Sequence, residues 1–317
     1  MARRWMSAGL FVLLLAACGR DVEPAPAGAA DGAFTATSAA VVLAAFDQAD
    51  SAASSTGDIT ALKAQEVSPS LDASVASVNR AQAQGSRQRP FQHVDPVFSI
   101  PPGDPSCFLA AATLKIAGEE LTRVDISHFV RQTAGGWKLS HQVLVAPDAV
   151  TAVRAIGRTP GSVEAVVAGR DAVAQQIFER TIAGVPDLTI VGTSPALDNQ
   201  LAAGWGIYSK QLDAAGISVK RVLDGADWST CSAITPAGVV TFLTLRVTDT
   251  IAPKPGGPAV ATLGPQSPDL MATGRRTPVS GKRITVVRVE VFALLQPAQG
   301  PASVLGLSDS PVTVTAA

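Results

Sequence analysis

The order of its hydrophobic patterns is the feature of this sequence that most restricts the fold. Apolar residues first recur with a helical period, and after Pro90 they alternate as they do in β-strands. The same order, helical segments followed by strand segments, returns in the second half of the chain. We therefore predict an α+β fold with two tandem halves, in each of which N-terminal helices pack on an antiparallel β-sheet.

The predicted N-terminal α+β domain covers residues 36–150. Its helices are expected at 36–56, from Asp58 and at 70–83, and its strands at 97–100, 107–116, 121–131 and 137–145. The last two strands are joined by a loop at 133–136. Apolar and polar residues alternate in both, and this alternation predicts a register in which Val130 pairs with Leu139. In this register His128 lies directly opposite His141, with Cβ atoms about 5 Å apart.

The predicted C-terminal α+β domain covers residues 160–317. Its helices are expected at 162–183 and 194–215, and its strands at 218–223, 228–234, 239–248, 283–295 and 303–314. Asp224–Asp227 has the composition of a hairpin turn between the first two strands. The segment 252–281 carries six prolines and five glycines, which predicts a long, mobile loop inside this domain.

The N-terminus has the organisation of an export signal. Arg3 and Arg4 precede an apolar run at 10–16 that is too short to span about 30 Å of hydrocarbon as a helix. A charged start, an apolar middle and small residues before a cleavage point predict a secretory signal peptide over residues 1–17.

A more specific motif stands at the end of this segment. Leu15-Ala-Ala-Cys18 resembles the bacterial lipobox, which implies cleavage between Ala17 and Cys18 and lipidation of Cys18. An ordinary signal peptide that happens to precede a cysteine is the alternative. Residues 18–35 are rich in Ala, Gly and Pro, and we predict that they form a flexible tether.

Charge and cysteine content exclude several classes of protein. A net charge of −1, from 25 basic and 26 acidic residues, excludes an electrostatic nucleic-acid binder. Three cysteines and three histidines are too few for a zinc finger or a multi-site metalloprotein. Lipidation of Cys18 leaves Cys107 and Cys231, and export permits a disulfide between them. Both also lie in or beside apolar runs, so two buried free thiols are the alternative.

His128 and His141 are the strongest candidates for a metal-binding or proton-transfer site. Two imidazoles on one sheet face can bind a metal or share a proton, but the spacing offers no third ligand. The alternative is a buried, hydrogen-bonded pair, and His93 shows no partner in the sequence. Trp205, between two glycines, and Tyr208 are added as candidate pocket residues. No motif for nucleophilic catalysis, phosphate binding or metal binding is present, so no catalytic residue, metal or cofactor is predicted.

Several motifs together resemble a known kind of protein. They are the lipobox, Ala45-Phe46-Asp47, Pro96–Pro101 with Pro105-Ser-Cys-Phe108, and the hairpin from Phe129 through Gly-Gly-Trp137 to Leu139. This combination resembles an actinobacterial-type family of extracytoplasmic lipoproteins of unknown function. The order of helices and strands is also similar to cone-shaped NTF2-like domains, and this resemblance implies that each sheet is curved. The resemblance to this family implies no catalytic residues in this chain.

These observations lead to one expected function and one alternative. We expect a lipid-anchored protein on the extracytoplasmic face of the cell membrane, acting as a non-enzymatic binding or envelope-assembly module. Its expected partners are the membrane, through the Cys18 lipid, and an envelope protein, without nucleic acid. The alternative is a small-ligand-binding or enzymatic pocket in the first half that uses His128 and His141, with Trp205 or Tyr208.

Overall fold

The structure is a computed structural model. It describes residues 33–103, 105–120, 122–157, 169–183, 191–192, 194, 198–199 and 205–317, of which 205–207 are described by their backbone alone. Residues Ala33–Ala317 form one compact unit. The predicted signal peptide, Cys18 and most of the predicted tether lie outside the described residues. None of the described helices is both long enough and apolar enough to cross a membrane.

Three helices come first in the chain, as predicted. They are α1 (Ala36–Thr56), α2 (Ile59–Gln65) and α3 (Ser70–Ala83). The Thr35 side chain accepts a hydrogen bond from the Ser38 amide at the start of α1, and Gly57 ends that helix with a φ of 77°. Asp58 then caps α2 by accepting a hydrogen bond from a backbone amide at 3.0 Å. These capping residues set the helix boundaries locally, which is why the sequence predicts them well.

A four-stranded antiparallel meander follows, and we refer to it as the first sheet. Its strands are β1 (Phe91–Ser99), β2 (Cys107–Ile116), β3 (Arg123–Arg131) and β4 (Trp137–Leu144), in the order β1-β2-β3-β4. His128 pairs with His141, which confirms the register predicted for that part of the hairpin. The predicted pairing of Val130 with Leu139 is wrong, because Val130 pairs with Lys138.

A β-bulge explains this difference. The register of β3 and β4 shifts between His128 and Phe129, so that Ser140 is an extra residue on β4. A bulge adds one residue to one strand only. The pairs between the bulge and the loop are therefore shifted by one residue relative to the pairs beyond the bulge, and no single register predicts both sets. The bulge also brings the Ser140 hydroxyl beside both imidazoles.

The second half again places helices before an antiparallel sheet. A short helix α4 (Val150–Arg154) leads to α5 (Arg170–Ala183) and α6 (Trp205–Ala214). The second sheet contains β5 (Ile217–Trp228), β6 (Ala233–Thr235), β7 (Gly238–Pro253), β10 (Ile284–Gln296) and β11 (Ser303–Ala316). Its order is β11-β10-β7-β5, with β6 paired to β7. The predicted helical residues 162–168 lie outside the described part of the chain.

The predicted turn at Asp224–Asp227 is wrong. Strand β5 runs through these residues and stays paired with β7 from Ile217 to Trp228. The register shifts between Leu223 and Gly225, so the turn-like composition is absorbed by a bulge rather than by a reversal of the chain.

The predicted mobile loop at 252–281 is also wrong. The segment forms the hairpin of β8 (Ala261–Leu263) and β9 (Val279–Gly281), with the helix α7 (Pro268–Ala272) between its strands. Leu263 and Leu270 are buried against Ile284 and Val286 of the second sheet. The few apolar residues among the prolines and glycines are therefore enough to fix the segment on the protein surface.

The two sheets pack face to face and share one core. Leu109, Ile126 and Val143 of the first sheet meet Phe242 and Val291 of the second. The opposite face of the first sheet is covered by α1, and that of the second sheet by α5. The result is a mixed α+β molecule in which helices cover the outer faces of two antiparallel sheets.

The sheets also meet edge to edge, where β4 approaches β11. Val145 forms an isolated bridge with Gly306, and the Ala146 amide donates to the Leu305 carbonyl at 2.8 Å. A Cβ at Gly306 would collide with the Leu144 carbonyl oxygen. Glycine is thus required here for the close approach of the two backbones, and this approach brings β11 to the edge of the first half.

Candidate functional site

The predicted histidine pair lies in the core between the sheets. The rings of His128 and His141 have centroids 5.3 Å apart, and the Phe242 ring packs at 6.2 and 5.2 Å from them. The Ser140 hydroxyl lies 2.6 Å from Nδ1 of His128 and 2.9 Å from Nδ1 of His141. Burial lowers the pKa of His128 to about 3 and that of His141 to about 4. Both imidazoles are therefore neutral at physiological pH.

Two cysteines lie beside His128. Cys107 and Cys231 form a disulfide with a Cα–Cα distance of 6.1 Å, and it ties the first half to the second. Their sulfur atoms and a ring nitrogen of His128 lie within 4.8 Å of one another. Because the disulfide uses both sulfur atoms, this group offers no thiolate to a metal in the oxidised protein.

Of the predicted pocket residues, His128 and His141 lie together, and Tyr208 has a different set of partners. The Tyr208 hydroxyl donates a hydrogen bond to Asp269 at 3.3 Å, and burial raises the pKa of this phenol. Asp269 in turn pairs with Arg288, which lies opposite Val247 in the second sheet, whereas the ring beside the histidines is that of Phe242. The Trp205 side chain lies outside the described residues. The interpretation of His128 and His141 as pocket residues is therefore replaced by a core pair held by Ser140.

His93 shows no partner in the sequence, but the structure gives it two. Its Nε2 lies 2.7 Å from an oxygen of Asp125, and its Nδ1 lies 2.5 Å from an oxygen of Asp47. Burial alone disfavours the charged ring, but the two carboxylates outweigh it and raise the pKa of His93 to about 10. His93 is therefore a buried cation between two anions, one on α1 and one on β3.

Two further carboxyl groups are buried close to this triad. Asp50 and Glu66 are 3% and 1% exposed. Burial raises the pKa of Asp50 to about 6, and burial together with the charge of Asp50 raises that of Glu66 to about 8. The Ser74 hydroxyl donates to Glu66 at 2.8 Å. One oxygen of each carboxyl group, Oδ1 of Asp50 and Oε2 of Glu66, has no hydrogen-bond partner among the described residues.

Asp50 lines a cleft of about 490 Å³, which we call the serine cleft. Its walls are the end of α1, one face of α3, the first sheet and the edge of β11. The lining residues are Asp50, Ser54, Ser70, Ala73, Ser74, Ser77, Arg80, Gln88, Arg89, Phe91, Leu114, Ile116, Glu119, Arg123, Gln142, Leu144, Leu307, Ser308, Asp309 and Ser310.

The side chains of α3 explain why this space is open. Ser70, Ala73, Ser74, Ser77 and Arg80 follow one another at three- and four-residue spacing, so they share one face of the helix. On most helices of a globular protein this inner face carries large apolar residues that fill the space beneath it. Small hydroxyl side chains leave that space empty and polar.

The charges of the serine cleft are balanced. Three acidic residues and three arginines line it. Arg89 and Arg123 both pair with Glu119, and Asp309 pairs with Arg288 at 3.0 Å. Asp50 and Arg80, the remaining two, make no salt bridge with any described residue. Asp50 instead accepts a hydrogen bond from the Ser54 hydroxyl at 3.5 Å, and Arg80 interacts electrostatically with Asp309.

A second recess lies between α1 and β1. It has a volume of about 500 Å³ and is lined by Asp47, Ser51 and His93 among others. The polar groups of these three residues are already engaged, because Asp47 holds His93 and the Ser51 hydroxyl accepts from the Phe91 amide at 2.9 Å. The serine cleft is therefore the better candidate site.

Sequence reasoning missed this site, although part of its signal is present. Asp47, Asp50 and Ser54 share a helical face of α1, and the serines of α3 share another. Such a face is usually read as solvent-exposed, and only the tertiary structure turns it inward. The contribution of β11 depends on the contact at Gly306, which has no local sequence signal.

Comparison with known proteins identifies a family. The chain matches a family described as "Domain of unknown function (DUF8094)" over residues 30–194, which is just over half of its length. No curated protein matches the chain significantly. The matched region includes α1 to α5 and every lining residue of the serine cleft except those of β11. The chain therefore belongs to the DUF8094 family, a domain family of unknown function.

Proposed function

We propose that this protein is a lipid-anchored, extracytoplasmic binding module at the cell membrane, and that the serine cleft is its ligand site. The binding role rests on the cleft itself, whose walls combine Asp50, the serine hydroxyls of α3 and the apolar surface of Phe91. The volume of the cleft falls within the range of about 300–1,000 Å³ that is usual for ligand sites.

The lining residues support binding rather than catalysis. None of those named above is a histidine, cysteine or lysine. Ser74 donates to Glu66, and Ser77 accepts from the Gln88 amide at 2.8 Å, so neither hydroxyl is paired with an imidazole base. The alternative function at His128 and His141 has no geometric support, since both rings are packed in the core.

The anchor rests on the sequence and is consistent with the disulfide. Leu15-Ala-Ala-Cys18 is the proposed lipidation site, with cleavage after Ala17. A disulfide such as Cys107–Cys231 persists in compartments outside the cytoplasm. An envelope protein is a further proposed partner, because a tethered module is held near other membrane proteins.

We also propose that the two halves derive from a tandem NTF2-like arrangement in an actinobacterial-type lipoprotein. The order of helices before an antiparallel meander occurs twice, and α1 and α5 cover equivalent outer faces of their sheets. The shared core between the sheets would then be the interface of the duplicated units.

The anchor is tested by a Cys18→Ser variant expressed in the native host. We expect the variant to lose labelling by a fatty-acid probe and to leave the membrane fraction, whereas a Ser7→Ala control inside the signal segment keeps both. Full membrane retention of unlabelled Cys18→Ser protein would refute the anchor.

The binding role is tested with variants that fill the serine cleft from opposite walls. Ala73 and Leu144 line it on α3 and β4, and Leu144 is 42% exposed, so a larger side chain fits there. We expect saturation-transfer NMR with a mixed pool of small metabolites to detect binding to the wild type. Ala73→Trp and Leu144→Trp should each abolish it while keeping the circular dichroism spectrum. Binding that survives both variants would exclude the serine cleft as the ligand site.

A further inference from the structure

The disulfide that joins the two halves lies beside a histidine nitrogen that is buried and unsatisfied. Nε2 of His128 has no hydrogen-bond partner among the described residues. The sulfur atoms of Cys107 and Cys231 and a ring nitrogen of His128 lie within 4.8 Å of one another. Because Nδ1 of His128 is engaged with Ser140, Nε2 is the nitrogen that is left for a further bond.

The two sheets bring these three side chains together. Cys107 and Leu109 lie on one face of β2, and Leu109 pairs with His128 on β3. His128 is therefore the diagonal neighbour of Cys107 on the face that packs against the second sheet. Cys231, between β5 and β6, approaches from the facing half. Two of the three positions are thus fixed on one rigid sheet.

Ser140 holds the His128 ring in the form that a metal ligand needs. The Ser140 hydroxyl donates to the His128 carbonyl at 3.0 Å, so it accepts from Nδ1 of each imidazole. Nδ1 of His128 then carries the proton, and the lone pair of the ring lies on Nε2. Histidines that bind metals usually donate their other ring N–H to an oxygen in this way, which fixes the tautomer and the orientation of the ring.

We propose that Cys107, Cys231 and His128 form a zinc site when the disulfide is reduced. Reduction by a thiol or a phosphine adds two electrons and two protons to the disulfide and gives two thiols. Zn²⁺ then displaces both protons and forms two Zn–S bonds, while Nε2 of His128 donates its lone pair. Zinc bonds of about 2.3 Å to sulfur and about 2.0 Å to nitrogen suit three ligand atoms that are already this close.

The donor atoms and their surroundings select the ion. Thiolate and imidazole suit Zn²⁺ and Cu⁺, whereas Mg²⁺ and Ca²⁺ prefer oxygen ligands. Two thiolates and a neutral imidazole balance the charge of a divalent ion, but a monovalent ion leaves one negative charge uncompensated. Leu109, Ile126 and Val143 belong to the same apolar core as both cysteines, and an uncompensated charge in such a core is costly.

The site lies just below the protein surface. Cys107 follows Ser106 and Cys231 follows Thr230, and both of these preceding residues are exposed. A local opening at either position therefore gives a reductant and an ion access to the sulfur atoms. The two halves are then linked in both states, by a covalent bond in the oxidised protein and by zinc in the reduced protein.

The test compares the oxidised and the phosphine-reduced forms of the purified protein in metal-free buffer. Co²⁺ serves as a spectroscopic probe for zinc, because bonds from thiolates to Co²⁺ absorb in the near ultraviolet and tetrahedral Co²⁺ absorbs in the visible range. We expect both signals in the reduced protein, loss of both when Zn²⁺ is added, and no change with Mg²⁺. The oxidised protein should show neither signal, and Zn²⁺ should raise the Tm of the reduced form alone.

Matched variants assign the binding to these residues. His128→Phe should weaken Zn²⁺ binding to the reduced protein at least about tenfold. His141→Phe should keep the affinity of the wild type, because His141 packs against the same Phe242 ring but lies outside the ligand group. Circular dichroism verifies that each variant is folded. Cys231→Ser replaces a single atom and should also weaken binding, so it provides the test if His128→Phe does not fold.

Three results would overturn the proposal. Co²⁺ binding without the thiolate signal, or equal binding by the oxidised and reduced forms, would place the ion elsewhere. Full Zn²⁺ affinity in folded His128→Phe would remove the histidine from the site. A reduced protein that binds no Zn²⁺, or that is unfolded and does not regain its native spectrum when Zn²⁺ is added, would refute the site altogether.

Discussion

His93 is the buried cation that balances two buried carboxylates in the first half. It is held between Asp47 and Asp125, and both of its ring nitrogens face carboxylate oxygens. The side chains of Asp47 and Asp125 are 10% and 1% exposed, so the two carboxylates have little access to water as an alternative partner. The imidazolium therefore links α1 to β3 through charge-assisted hydrogen bonds. From the sequence, Asp47 is predicted in a helix and Asp125 in a strand, whereas His93 lies before the first predicted strand, and no pattern indicates that the three residues meet.

Replacing His93 is expected to be strongly destabilising. His93→Gln leaves two buried carboxylates without a counter-ion, and breaking a buried ion pair in this way costs about 3–5 kcal/mol. Urea unfolding measures the loss. The double variant His93→Gln/Asp125→Asn should be more stable than His93→Gln alone, because one uncompensated charge has been removed. A single variant as stable as the wild type would contradict a charged His93.

The raised pKa of Glu66 makes the stability of the protein depend on pH. Its pKa in the folded protein, about 8, lies above its ordinary value of 4.5, so the folded state binds the proton more tightly. The stabilisation that the protonated Glu66 gives to the folded state is therefore fully present below about pH 4.5, and it is lost as pH rises through 8. We expect the unfolding free energy of Glu66→Gln to fall less between pH 5 and pH 8 than that of the wild type. The exposed control Glu120→Gln should follow the wild type, and identical pH profiles for all three proteins would refute a protonated Glu66.

At the scale of elements, the sequence predicts those structures whose signals are local. The boundaries of α1 and α3 follow from Thr35, Gly57 and helical periodicity, and those of β2 from a continuous apolar run. The bulges at Ser140 and Asp224 were missed, because a bulge depends on the partner strand as much as on its own residues. The structure of 252–281 was missed because proline and glycine outnumber the few residues that anchor it.

The anchoring of this segment can be measured through Leu270. This side chain is fully buried between α7 and the second sheet, so Leu270→Ala should cost about 2–5 kcal/mol in unfolding free energy. Val260, in the same segment, is 43% exposed, and Val260→Ala should change stability by less than about 0.5 kcal/mol. Equal and small effects of both substitutions would instead support a mobile loop.

At the scale of the whole molecule, the halves are joined by a shared core, a disulfide and an edge contact. Cys107 and Cys231 are 124 residues apart in the sequence, so their bond closes a long loop. Sequence analysis found both cysteines but left open whether they bond, because their distance depends on how the sheets face each other. The serine cleft could not be predicted from the sequence for the same reason, since its walls combine α3 with β11.

Loss of the disulfide is expected to destabilise the whole protein. The Cys107→Ala/Cys231→Ala variant should lose about 2–5 kcal/mol of unfolding free energy relative to the oxidised wild type. Adding a thiol reductant should lower the stability of the wild type and leave the double variant unchanged. Two free thiols at these positions, found by mass spectrometry of the unreduced protein, would contradict the bond.

The central claim, that the serine cleft is the ligand site, is tested most directly by hydrogen exchange of the purified protein with and without the mixed pool of small metabolites. We predict slower amide exchange in α3, at the end of α1 and at residues 307–310 of β11, with no change around His128 and His141. Unchanged exchange at α3, or protection confined to the recess between α1 and β1, would contradict it.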